Sequence, residues 1–169
     1  EAHAMSAIDD LCPRCGLCCN GVLFGDVELQ TKDEPKRLSS LGLTLHRKGQ
    51  KHVFNQPCAC LVNGLCRIYE SRPRRCRTFD CRVLQRVQRG EMTLAAARKA
   101  VAAARTRAGE VFLLVRELGD ARESEPLSRR YSAIMAEPFD FANDDASVER
   151  RAELMLAVGR LVEVLRKDF

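Results

Sequence analysis

Nine cysteines fall between positions 12 and 81, and the rest of the chain has none. Thiols confined to one stretch form a site rather than a scattering of small core residues, and an odd number does not pair off into a disulfide framework. Their local spacings point the same way. Cys12-Pro13-Arg14-Cys15-Gly16-Leu17-Cys18-Cys19 reads C-x2-C-x2-C-C, and a second group holds Cys58, Cys60, Cys66, Cys76 and Cys81.

The compartment decides between disulfides and metal. Ile8 and Leu11 are separated by Asp9 and Asp10, which leaves no apolar block of the signal-peptide kind. The alanine-rich run after Thr93 is broken by Arg98, Lys99, Arg105 and Arg107, short of the about 18 uncharged apolar residues a membrane span needs. The cytoplasm is therefore the expected localisation, with no membrane partner. In a reducing cytosol clustered thiols indicate metal binding or catalysis.

At 169 residues and 19.0 kDa the chain is long enough to bury a core without disulfides. Residues 1–4 precede Met5 and follow no helix or strand pattern, so they read as an expression remnant. Residues 5–169 read as a single domain, with a cysteine-cluster part at 5–90 and a helical part at 91–169. The expected class is α+β, mainly helical, an irregular cysteine-rich part packed against C-terminal helices.

Glycine, asparagine and proline punctuate the first part, so short strands, turns and loops are expected there. Val22-Leu23-Phe24 and His52-Val53-Phe54 read as brief strands, and Lys32 to Leu41, with Pro35 in its first turn, as a helix. Downstream the pattern changes. Leu94, Ala97, Val101, Ala104, Ala108, Val111, Val115 and Leu118 recur at alternating spacings of three and four, a helical seam with Thr93 as N-cap and Gly119 as stop. Glu123 to Pro126 reads as a loop and Leu127 to Met135 as a shorter helix. A final helix is written by Val148, Ala152, Met155, Val158, Val162 and Leu165, capped by Asp145 or Ser147.

A C-x2-C step lets two thiolates converge on one ion, since the turn expected between them brings both sulfurs to the same side, and two overlapping steps supply three, as in bacterial ferredoxins. Cys19 is the departure. Neighbouring side chains diverge, so Cys18 and Cys19 are not expected to ligate one tetrahedral zinc together; one serves the first site and the other a second metal, a bridge or an exchangeable position. In the second group Asn63-Gly64 is a turn that folds Cys60 and Cys66 toward one another, and Cys76 follows the Pro73 bend. The total permits two four-thiolate sites with one cysteine left over, or one such site with thiols around it. None of His3, His46 or His52 has zinc-finger spacing, so no histidine ligand is expected.

Cys12-x-x-Cys15-x-x-Cys18-Cys19, followed by Cys60-Leu61 and Cys66-x-Ile68-Tyr69-Glu70-x-Arg72-Pro73-x-x-Cys76-Arg77-x-Phe79, resembles the YkgJ-like cysteine-cluster proteins, a zinc- or iron-chelating CxxCxxCC domain. The resemblance covers roughly residues 12 to 81. It implies metal ligation by Cys12, Cys15, Cys18, Cys19, Cys60, Cys66, Cys76 and Cys81, with Cys58 and Cys81 less regular in the family pattern and Cys58 ranked last as a ligand. Relatives of that family include the flagellin lysine N-methylases, so a methyl-transfer role enters as an implication of the resemblance.

All-thiolate surroundings suit zinc and iron-sulfur alike. The overlapping triplet turns the reading toward an iron-sulfur cluster of the [4Fe-4S] type, with zinc as the alternative. Eight arginines lie between positions 67 and 89 against Glu70 and Asp80. Four thiolates around Zn2+ or a [4Fe-4S]2+ core leave about two negative charges, so two sites would bring the formal +5 to about +1. Arg72, Arg75, Arg77 and Tyr69 are accordingly read as support around the thiolates. Nucleic acid is disfavoured as a partner, because aromatic residues are 5% of the chain with no tryptophan to stack bases. No serine elbow, Walker loop or dinucleotide fingerprint is present, so catalysis could come only through the metal. Three function classes follow: an iron-sulfur protein serving electron transfer or a methyl-transfer system, a zinc-stabilised module binding protein or nucleic acid, and an iron or zinc carrier.

Overall fold

A computed structural model describes residues 7–138 and 145–169, of which 7–10 and 145 by backbone alone. Residues 1–4, His3 and the Asp145 side chain lie outside the described ones. The class is α+β and mainly helical. Helix α1 (Ala7–Cys15) leads into a three-stranded antiparallel sheet of β1 (Asp26–Glu28), β2 (Leu45–Lys48) and β3 (Lys51–Asn55), in the order β1-β3-β2, with α2 (Pro35–Ser40) between its first two strands. A hairpin of β4 (Leu61–Val62) and β5 (Leu65–Cys66) follows, then a 3-10 turn at Tyr69–Ser71 and the short helices α3 (Arg74–Thr78) and α4 (Arg82–Gln88). Three helices end the chain: α5 (Leu94–Glu117), α6 (Leu127–Ala136) and α7 (Asp145–Asp168).

The long seam folds as its spacing dictates. The Thr93 hydroxyl accepts from the Ala96 N–H at 3.2 Å, and Gly119, at φ +85°, closes the far end in a conformation that costs other residues a Cβ clash. Ala97, Val101, Ala104, Ala108, Val111 and Val115 are all buried. Ala104, Ala108, Val111 and Val115 pack α5 against α6 and α7 in a core completed by Leu17, Leu127, Ile134, Leu154, Ala157 and Leu161. In α7 the buried face differs from the expected one. Arg151, Leu154, Ala157 and Leu161 face inward, while Ala152 is exposed and Met155 is 59% exposed, a rotation of about one residue around the axis. Met155 and Leu156 supply an apolar pattern there that packing does not use.

Asp120, just beyond α5, accepts from Arg122 and Arg130 at 2.6 Å each, with no exposure of its own side chain. Burial alone would raise its carboxyl pKa, but the two guanidinium groups outweigh it and hold the pKa below the usual range.

The first half carries more regular structure than punctuation predicts. Its first strand is Asp26–Glu28, not Val22 to Phe24, which form a bend after Gly21. The expected strand at His52 to Phe54 lies within β3, and the expected helix with Pro35 in its first turn is α2. Val27 and Leu45 both face Phe54 across the sheet, and this face joins Leu38, Leu43 and Ile68 in a second core. A third core, of Leu11, Val83, Leu84, Ala97 and Val101, ties α1 and α4 to the start of α5. Among the described residues no helix is long and apolar enough to cross a membrane.

Candidate metal centre

The cysteines sit where the three cores meet. Cys12 and Cys15 lie in the last turn of α1, three residues apart and hence on one helix face. Gly16, at φ +69°, turns the chain out of the helix, and its carbonyl accepts from both Cys19 N–H and Asn20 N–H at 2.9 Å. The expectation of a bare turn for the first C-x2-C step is thus replaced by a helix end. Leu17, fully buried, is pinned in the core of α5, α6 and α7, which fixes the two flanking thiols to the helical part.

From the other side, Cys58 N–H donates to the Cys19 carbonyl at 2.8 Å, so the segment after β3 is tied directly to the first motif. Asn63 and Gly64 take φ +50° and +77°, the hairpin turn read from the sequence, and Cys66 stands opposite Leu61. Asp33 accepts from the Arg74 N–H at 2.8 Å and so anchors the helix that carries Cys76. Cys81 immediately precedes α4.

Eight of the nine thiols line one cavity of about 460 Å3: Cys12, Cys15, Cys18, Cys19, Cys58, Cys66, Cys76 and Cys81. Their mutual electrostatics sort them. Cys81 acts on Cys12, Cys15 and Cys18, whereas Cys19 is influenced by Cys76, Cys58 and Cys66. Cys76 in turn is influenced by Cys58 and Cys66. These influences place Cys12, Cys15, Cys18 and Cys81 mostly on one side and Cys19, Cys58, Cys66 and Cys76 on the other, while Cys19 also acts on Cys18 and Cys60 on Cys58. The adjacent Cys18 and Cys19 fall on opposite sides of the division, and the sets touch through Cys15 and Cys18 against Cys19.

Cys60 stands apart. The family resemblance ranks it above Cys58, but the structure places Cys58 on the cavity and Cys60, with no exposure, in the second core, its thiol toward the Leu41 carbonyl at 3.8 Å. A turn closed by Leu61 N–H on the Cys58 carbonyl at 2.9 Å joins the two residues, and their thiols still act on one another although only Cys58 lines the cavity.

Burial dominates the thiol electrostatics. Together with neighbouring cysteines it pushes Cys12 and Cys58 up to about 11 and Cys19 and Cys76 up to about 12, and it raises Cys15 and Cys18 as well. These groups are protonated thiols until a cation replaces the protons. All nine cysteines are free of disulfides. Among the described residues no group of three or more Cys, His, Asp or Glu side chains is drawn in closely enough to hold a metal ion as it stands, so filling either set requires the sulfurs to move inward. Four sulfurs and no histidine or carboxylate in each set is a donor chemistry that fits zinc or an iron-sulfur cluster.

The supporting residues read from sequence are placed unevenly. Arg72 lies over the Tyr69 ring, 3.4 Å from its centroid, and donates through Nε to the Tyr69 carbonyl at 2.6 Å. Its charge reaches Cys12 in one set and Cys76 in the other, and lowers the pKa of both. Tyr69 and Arg75 line the cavity, while Arg77 is exposed and does not. Other groups had no sequence signal: Arg105 beside Cys15, the edge-to-face pair of Phe24 and Phe79 with centroids 5.0 Å apart, Phe169, and Gln56.

No curated protein and no solved structure matches the chain. A family model does, over residues 11–99, more than half of the sequence and every cysteine in it. That family is described as a "putative zinc- or iron-chelating domain", and its name is the C-x2-C-x2-C-C motif that the structure lays along the cavity. With this match and this thiol-lined cavity, the chain belongs to the CxxCxxCC family of metal-binding cysteine-cluster proteins.

Proposed function

We propose that the protein holds two all-thiolate centres side by side, one on Cys12, Cys15, Cys18 and Cys81 and one on Cys19, Cys58, Cys66 and Cys76, and that these are iron-sulfur clusters of the [4Fe-4S] type used in electron transfer or in support of a methyl-transfer system in the cytoplasm. The observation that carries the reading is the division of the eight cavity thiols into two fours, with Cys60 left in a hydrophobic core. The overlapping triplet at Cys12, Cys15 and Cys18 favours iron-sulfur, because one short segment then grips three corners while a distant cysteine, Cys81, closes the fourth. Such a group, when bound, supplies one-electron redox chemistry. The chain holds four thiolates around each centre, shields them with Leu11, Leu23, Val83 and Phe169, and offsets their charge with Arg72.

A zinc-stabilised module is the second reading, since an all-sulfur donor set suits structural zinc as well as an iron-sulfur cluster. Protein purified without oxygen from iron-replete cells separates the two. The expected result is brown protein with broad absorption near about 400 nm and about eight iron and eight acid-labile sulfides per chain. About two zinc per chain, without iron or sulfide, sinks the iron-sulfur reading and leaves the zinc module.

A further inference from the structure

Gln56 ends the segment that carries β3 toward Cys58. Its N–H donates to the Gly25 carbonyl at 3.0 Å, and its side chain, only 1% exposed, lines the cavity together with the eight thiols. Its Oε1 is buried and has no hydrogen-bond partner. Three charged side chains on the cavity wall have partners: Asp26 pairs with Lys48, Glu28 with Lys51, and Arg72 with the Tyr69 carbonyl. A buried amide left unpaired costs about 1–3 kcal/mol, and a leucine of similar volume would avoid the cost. A polar group in this position is therefore matched to whatever fills the cavity.

An uncharged amide suits that occupant for a chemical reason. A four-thiolate centre carries about two negative charges and presents only acceptors, so it calls for donors. The two ends of a glutamine amide exchange by a half-turn about its last bond, which brings Nε2–H2 to the place Oε1 occupies. We propose that Gln56 is a hydrogen-bond donor to sulfur in the occupied centre, a positioning residue whose Nε2–H points at a metal-bound thiolate. This rests on the two-centre reading above. The N–H···S bond draws electron density from the thiolate, which slows its loss from the metal and, in a redox-active centre, makes reduction easier.

The test uses the full chain, labelled with 15N and loaded with 113Cd2+ under exclusion of oxygen, so that no iron chemistry is needed. The expected result is cadmium resonances typical of four-sulfur coordination and a through-bond 1H–113Cd coupling to the Gln56 side-chain amide protons. Release of cadmium to EDTA is expected to be several-fold faster in Gln56→Leu. It is faster still in Gln56→Glu, which keeps the shape but removes the donors and adds a like charge. The coupling is read on the unaltered chain, so the test stands even where a variant fails to fold. Four-sulfur cadmium resonances without that coupling, or Gln56→Leu releasing metal at the unaltered rate, overturn the role of Gln56 alone. Absence of four-sulfur resonances overturns the two-centre reading, and this role with it.

Discussion

Cys18 and Cys19 share one peptide unit, and in the two-centre arrangement proposed above that unit belongs to both thiol sets. Replacing either residue should therefore remove one centre and leave the other. Cys18→Ser is expected to lose the metal held with Cys12, Cys15 and Cys81, and Cys19→Ser the metal held with Cys58, Cys66 and Cys76, each keeping about half of the metal found in the unaltered chain. Cys60→Ser should keep both, since its thiol faces the Leu41 carbonyl rather than the cavity. Metal analysis of the three variants checks this, and full metal content in Cys19→Ser would count against the division. The sequence made the clustered thiols themselves legible. The resemblance put Cys60 ahead of Cys58, whereas it is Cys58 that lines the cavity, an outcome that depends on a turn whose residues, Ala59 and Leu61, carry no turn signal. Sequence could not find Gln56 either, an ordinary polar residue that becomes informative only once its burial is known.

Among the elements, α5 was readable and α7 only in outline. The seam of α5 contains small and β-branched residues in strict helical order with a cap at each end, so period and packing agree. On α7 apolar residues run most of the way round, and the partner helices, not the period, choose the face. Leu154→Ala should then cost about 2–5 kcal/mol, whereas Met155→Ala should stay within about 0.5 kcal/mol. Urea unfolding of both variants decides whether the structure or the sequence pattern has the rotation right. The buried carboxylate after α5 gives a pH signature. Because its folded pKa lies below its unfolded value of about 3.9, Asp120 contributes stability that is present above about pH 4 and is lost as pH falls through the folded pKa. Asp120→Asn leaves two guanidinium groups with a weaker acceptor, at a cost of about 3–5 kcal/mol near neutral pH. The gap between variant and unaltered chain should narrow below about pH 4. Unfolding midpoints across that range, compared between the two proteins, would show a constant gap if the carboxylate charge were not what matters.

At the scale of the molecule, the helical core and the thiol sets are joined through Leu17, which is buried among α5, α6 and α7 while its neighbours Cys15, Gly16 and Cys18 line the cavity. Metal removal should for that reason be felt beyond the loops that hold it. With a chelator under reducing conditions, amide exchange is expected to speed up first in β4, β5 and α3, which bury little apolar surface, and more weakly in α5 and α7. Uniform protection with and without metal would mean that the fold does not depend on it. The mainly helical α+β plan could be read from composition and period. The helices α1, α3 and α4 could not, because they are short: α1 contains Pro13, α3 holds arginines and a cysteine where an apolar stripe would announce a helix, and the apolar residues of α4 span under two turns. The nesting of the two sets has a further meaning in time. Four of the eight thiols are synthesised by residue 19, yet their partners follow only at 58 to 81. At about 5–20 residues per second the leading thiols wait roughly 3–12 s before either set can be completed, the inner one at Cys76 and the outer one at Cys81. On the two-centre proposal the order of the chain therefore sets an order of assembly, in which neither centre can close before Cys76 has been made.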